Sequence, residues 1–187
     1  MKKIYRFLAV LIVGGAGAAV AQDARLLDEV QVAQYRAWAQ SPEIVAAVQA
    51  QNKETTEYSE RAILALDKIW RGEVILNGGP IMSPVMDSPV SDFLRAEVAE
   101  SHGILSEIIL MDAKGLNVGA SSPTSDFWQG DESKHSETYP KGFYAVHYSE
   151  VEFDSSTQSY QQQVSFVVAD PLTQTPIGAM TLGVYRR

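Results

Sequence analysis

A chain of 187 residues with 45% hydrophobic content is long enough for one ordinary globular domain with a sizeable core. Its net charge is −8, and it contains no cysteine. Those two facts exclude disulfides, a thiol nucleophile, a thiolate metal site and a lipid-anchored cysteine, and they speak against nucleic acid or anionic lipid as partners, since both repel an acidic surface.

The first residues are read as a targeting segment. Lys2, Lys3 and Arg6 form a basic start, Phe7 to Val13 a short apolar run, and Ala19-Val20-Ala21 a small-x-small cleavage signal. The expected division is a signal peptide at residues 1–21, cut before Gln22, and a single domain over residues 22–187. Retention as a membrane anchor is the alternative; the apolar run is short for a span. Cleavage removes three cations, so the exported, periplasmic domain is still more acidic.

Helices come next. Arg25 to Gln40 carries Leu26, Leu27, Val30, Ala33, Tyr35, Ala37 and Trp38 at roughly three- and four-residue spacing. Ser41-Pro42-Glu43 restarts a helix with a capping serine, a first-turn proline and an acid, and this helix runs through Ile44, Val45 and Val48 to about Asn52. A third starts at Thr55 or Thr56, places Ile63, Leu64, Leu66, Ile69 and Trp70 on its apolar side, and ends near Gly72; Trp70 is expected in the core. Residues 77–89 hold three prolines and a Gly-Gly pair, which marks a loop. Its Ile81, Met82, Val85 and Met86 are apolar enough to pack. Ser91 is expected to cap a short helix over Asp92 to Ser101, stopped by His102-Gly103.

The most informative stretch follows. Leu105 to Met111 reads as an apolar strand, Asp112-Ala113-Lys114-Gly115 as a tight turn, and Leu116 to Ala120 as a second strand. A polar loop then leads to Ser125-Asp126-Phe127-Trp128-Gln129-Gly130-Asp131-Glu132. This strand, glycine turn and short strand, followed at the right distance by SDFWQGDE, resembles the Cache domain, the PAS-like extracellular sensing domain of bacterial histidine kinases and chemoreceptors. The resemblance implies N-terminal helices packed along a sheet, and a ligand pocket between the sheet and the loops after the second strand.

Beyond that loop, Glu132 to Thr138 is expected as a short helix ended by Pro140 and Gly142. Phe143 to Phe153 alternates as Tyr144, Val146 and Tyr148, then changes phase to Val151 and Phe153, which predicts a bulge near Ser149-Glu150. Asp154 to Thr157 is turn chemistry. Tyr160 to Ala169 and Ile177 to Tyr185 complete the strands, with Asp170-Pro171 between them. The expected fold class is α+β: N-terminal helices packed on one five-stranded antiparallel PAS/Cache-like sheet, its strands in meander-like order.

For chemistry, no constellation of an enzyme is present. His102, His135 and His147 are scattered, and neither HExxH nor GxSxG occurs. Asp126, Asp131, Glu132 and His135 are close in sequence, but their spacing matches no calcium loop, and caps and surface carboxylates explain them. The expectation is therefore no metal, no cofactor and no catalysis. Trp128 is the candidate ligand wall: a broad apolar face with one N–H donor suits an amphipathic small molecule or a cation. In amino-acid-sensing members of the resembled family an arginine shortly before this tryptophan holds the ligand carboxylate. Here Ser125 and Asp126 stand in that neighbourhood, so a cationic or neutral ligand is favoured. The candidate site is Asp126, Trp128 and Asp131, completed by Tyr144, Tyr148 and Asp170. The sequence ends at Arg186-Arg187, directly after the last strand, where membrane-bound relatives continue into a second span. Signalling is thus expected to pass through another protein, a membrane receptor or a transporter component, and a homodimer is the further assembly considered. An exported enzyme of unfamiliar type and a ligand-free interaction module are the competing classes.

Overall fold

The computed structural model describes residues 25–154 and 158–186; the signal-peptide boundary lies outside them. Among the described residues, six helices and five strands follow in the order α1 (Glu29–Trp38), α2 (Pro42–Thr55), α3 (Glu60–Leu76), α4 (Met82–Met86), α5 (Pro89–Glu100), β1 (Leu105–Asp112), β2 (Asn117–Ala120), α6 (Ser133–Ser136), β3 (Val146–Asp154), β4 (Ser159–Ala169) and β5 (Pro176–Tyr185). A 3-10 turn at Tyr139–Lys141 follows α6. No described helix is long and apolar enough to cross a membrane.

The fold class is α+β, as expected, but the strand order is not a simple meander. The sheet is antiparallel in the order β2-β1-β5-β4-β3. The last strand inserts between β1 and β4, so β2 and β3 lie at opposite edges and residues 121–145 must cross the sheet to join them. The centre falls to β5 because it is buried along nearly its whole length and can cover hydrogen-bonding edges on both sides. The bulge in β3 is where the phase change placed it, between Tyr148 and Val151.

Helix ends moved where side chains found other partners. The third helix begins at Glu60, capped by Ser59, because the Thr55 hydroxyl is spent inside the domain on Asp112 at 2.8 Å. The fifth begins at Pro89 with Ser88 as cap; Ser91 is buried and instead donates to the Val85 carbonyl and accepts from Ala120 N–H. The apolar residues of the 77–89 loop do pack, and they form α4 in doing so. His102 and Gly103 both take positive φ at the end of α5.

Two cores result. On one sheet face, Ile108, Leu110, Val164, Phe166, Val168, Met180, Leu182 and Val184 meet Ile44, Val45 and Val48 of α2 and Leu94 of α5. A second core lies beside the β2 edge, around the fully buried Trp70, which stacks on Phe127 at 5.3 Å and donates its indole N–H to Thr124 O at 2.9 Å. Trp70 is a core residue, as expected.

Candidate functional site

The loop after β2 is held from α3. Asp67, buried on that helix, accepts the backbone N–H groups of Phe127 (2.9 Å) and Trp128 (3.1 Å) on one carboxylate oxygen. Its other oxygen meets Arg71 at 2.8 Å. Trp128 is half-buried; it pairs as an isolated bridge with Leu116 and donates its indole N–H to Lys114 O at 2.8 Å. The loop is thereby fastened to the turn between β1 and β2. Gly130 sits under the indole, where a Cβ would come within 2.3 Å of the ring nitrogen. Asp126 is engaged by the same loop: it accepts from Gln129 Nε2 at 2.8 Å and lies 3.7 Å from Arg71. Asp131 is exposed.

The other three expected residues are not gathered around Trp128. Tyr144 is 72% exposed and stacks edge-on against Phe143. Tyr148 belongs to the opposite face of the sheet: it packs on the helix-covered core, and the guanidinium of Arg25 sits 4.5 Å over its ring. Asp170 shapes the turn between β4 and β5. One oxygen accepts from Leu172 N, Thr173 N and the Thr173 hydroxyl, the other from Gln49 of α2. The Thr173 and Leu172 amides hold its carboxyl below the usual carboxylate range.

What the loop covers is the second face of the sheet, and that face is half polar. Side chains alternate along a strand, so the residues between those of the helix-covered core point the other way. They are Glu107, Ile109 and Met111 of β1, Gln161, Gln163, Ser165 and Val167 of β4, and Ala179, Thr181 and Gly183 of β5. Register aligns them in rows: Ser165 with Thr181 and Ile109, Gln163 with Gly183 and Glu107, Val167 with Ala179 and Met111. One end of the face is thus apolar and the other polar. Ser165 and Thr181 are fully buried and share a hydrogen bond of 2.9 Å. Gly183 is required where it stands, since a Cβ would meet Glu107 Cγ at 2.8 Å and Ser106 Oγ at 2.2 Å. Its absence of side chain lets Glu107 and Gln161 approach each other.

The roof contributes charge. Lys134 of α6 is buried, and its ammonium donates to Gln129 Oε1 (2.9 Å) and Glu132 Oε2 (3.0 Å). Burial pushes the Glu107 carboxyl up from the ordinary glutamate range; the Lys134 charge opposes that, Asp154 adds to it, and the Gln163 and Gln161 amides oppose it. His135, beside Lys134, is buried against Tyr139 with ring centroids 5.1 Å apart, and its Nε2 lies 3.2 Å from Asp112 O. Burial lowers its pKa, partly offset by that carbonyl and by the Asp112 charge. No group of three metal-ligating side chains occurs among the described residues.

The face thus combines an apolar half, hydroxyl and amide groups, and the Glu107 carboxyl under the influence of Lys134. Sequence reasoning missed Glu107, Lys134, Gln161, Gln163, Ser165 and Thr181. The signal was there in β4: polar Gln161, Gln163 and Ser165 alternate with apolar Val164, Phe166 and Val168. That pattern reads equally as a solvent-facing side, and only the loop crossing it makes it interior.

With helices on one face of a sheet in the order β2-β1-β5-β4-β3, and a long loop on the other, the architecture is decided. It is an α+β fold on one five-stranded antiparallel sheet, consistent with the PAS-like sheet expected from the sequence. No family model matches the chain, and no curated protein does. Solved structures that resemble it include the extracellular domain of rpHK1S-Z16, at 16% identity over 83% of this chain and 59% of that one, with a TM-score of 0.43. The ligand-binding domain of the Campylobacter jejuni chemoreceptor Tlp3, in complex with 4-methylisoleucine, matches at 10% identity over 80% and 62%, TM-score 0.40. The sensor domain of the V. cholerae histidine kinase DctB matches at 11% identity over 84% and 58%, TM-score 0.40. The chain spans about three-fifths of the length of these structures.

Proposed function

We propose that the chain is an exported sensor-type domain that binds a neutral or cationic small molecule on the polar half of the second sheet face, beneath the 121–145 loop. The observation that carries this reading is the burial of Ser165, Thr181, Gln161 and Lys134 around Glu107. These groups are paired, with one another or with Gln129, Glu132 and Asp154, yet replacing paired buried charged groups by apolar residues of similar volume is often neutral or stabilising, so fold stability alone does not call for them. A buried polar cluster that holds a perturbed carboxyl beside a specific charge partner is a candidate functional site. The cation preference rests on Glu107: a ligand bearing positive charge would return its carboxyl towards the ordinary range, whereas a carboxylate-bearing ligand would add a further negative group. In this reading Trp128 and Asp126 act by fastening the loop that roofs the site. Occupancy is passed to a partner protein, a membrane receptor or a transporter component, and the domain catalyses nothing. Residues 1–21 are its signal peptide, so the N-terminal residue of the exported protein should be Gln22.

The test is a nuclear magnetic resonance titration of the protein with a panel of polar metabolites sorted by charge. Binding should move the amide signals of Gln163, Ser165, Thr181 and Gly183 first, and cationic or neutral compounds should do so at lower concentration than dicarboxylates. Ligand-induced shifts confined to other parts of the protein would remove the site, and a preference for dicarboxylates would remove the charge argument.

A further inference from the structure

A concavity lies on the other side of the molecule's β2 edge, between α2 and the α4–α5 wall. It measures about 750 Å³, inside the range of small-molecule sites. It exists because α2 turns alanines, Ala47 and Ala50, towards it where leucines would fill the space. Ile81, Val85, Val90 and Phe93 form the facing wall, with Val118 and Phe127 as floor. That wall is fixed in place. Buried Glu73 of α3 accepts the Ile81 and Met82 amides at 3.0 and 2.6 Å, and the Ser91 hydroxyl ties Val85 O to Ala120 N–H. A groove whose walls are pinned by buried hydrogen bonds needs little ordering to receive a ligand.

Its charge is one-sided. The charged residues lining it are Glu43 and Glu54, both exposed on α2, and no lysine or arginine is among the described residues that line it. Eleven residues apart on one helix, they stand about 16 Å from each other along its axis, near the two ends of the groove. The Gln51 amide, which also lines it, is already committed to Asp112, Leu116 O and Asn117 O. An apolar trough flanked on α2 by two exposed carboxylates, with no cation among the described residues that line it, is complementary to one class of molecule. We infer that this groove binds an amphipathic cation, an aliphatic chain or ring system carrying an ammonium group, with the apolar body between α2 and α5 and the cation at Glu43 or Glu54. The inference does not depend on the sheet-face site, from which it is separated by the β2 edge and the second core.

The experiment is calorimetric titration of the protein with decyltrimethylammonium and with decanoate, each below its micelle concentration. The two probes share a chain and differ in the sign of the head. Saturable one-to-one binding of the ammonium, with decanoate weaker by at least about tenfold, is expected. Ala50→Trp fills the trough from an exposed helix position and should abolish binding, while circular dichroism reports that the helices remain. Glu43→Gln with Glu54→Gln should narrow the difference between the two probes and leave the affinity for decanoate no weaker. Glu107→Gln should change nothing, which separates this site from the one under the 121–145 loop. Non-saturating uptake, equal affinity for both probes, or full binding by a folded Ala50→Trp variant would each overturn the inference.

Discussion

Asp67→Ala is the sharpest perturbation of the framework that positions the sheet-face site. Asp67 is one of the few buried carboxylates of α3, and one of its oxygens holds two consecutive backbone amides, Phe127 and Trp128. Removing it leaves both N–H groups without their charged acceptor. A hydrogen bond to a charged group contributes about 1.5–3 kcal/mol, and a buried donor left unpaired costs about as much, so a loss of about 3–5 kcal/mol is expected for the pair. The ion pair to Arg71 adds little, because that side chain is 61% exposed. For a domain of this size the corresponding fall in Tm is roughly 10–15 °C. Phe127 remains stacked on Trp70, so the change should loosen the loop before it unfolds the sheet. Urea denaturation gives the total, and hydrogen exchange at Phe127 and Trp128 locates it. Asp67→Asn keeps an acceptor oxygen and should lose about half as much or less. A loss below about 1 kcal/mol for Asp67→Ala, with both amides still protected, would refute the account of how the loop is held.

Three further outcomes follow from the same contacts. Glu107→Gln should stabilise the protein at neutral pH: a carboxyl raised in the folded state contributes fully below the unfolded pKa of about 4.3 and loses that contribution as pH rises through the folded value. Denaturation at pH 4 and pH 7 should therefore show the variant's advantage only at the higher pH. His135 has its folded pKa lowered, so its contribution is present above about 6.5 and is lost as pH falls towards the folded value; His135→Gln should flatten the loss of stability between pH 7.5 and 5. Trp128→Phe keeps the ring but loses the indole bond to Lys114 O, and should cost about 1 kcal/mol in urea denaturation while leaving ligand affinity within about threefold.

Much of the architecture was legible because local patterns and tertiary demands agree. The alternation in β4 and β5, the glycine turn before Leu116 and the phase change at Tyr148 each specify one conformation, and the structure has it. Helix starts slipped where a residue with the right chemistry for a cap was wanted elsewhere, as with Thr55 and Ser91, whose hydroxyls serve distant backbone and side-chain partners. The strand order was out of reach of periodicity. Nothing in the composition of β5 says that its other edge pairs with β1, seventy residues upstream. The same limit hid the polar sheet face: Trp128 stands out as the large aromatic of a polar loop, its N–H satisfied by Lys114 O, while the buried polar groups of the face, Gln161, Ser165 and Thr181, lie on strands and Lys134 on the crossing segment. Ser165 and Thr181 become notable only once the crossing loop buries them.

The central claim is that the polar half of the second sheet face binds a small molecule. It is tested most directly by a thermal-shift screen run in parallel on the unmutated protein and on a Ser165→Ala, Thr181→Val variant. Those two changes remove the paired hydroxyls at nearly constant volume. A ligand at a hundredfold its dissociation constant adds about 2.7 kcal/mol, which is readily seen as a rise in Tm. The account predicts that at least one cationic or neutral compound gives that rise with the unmutated protein, that the variant loses most of it, and that Trp128→Phe keeps it. A compound that stabilises the unmutated protein and the hydroxyl-free variant equally would contradict the claim.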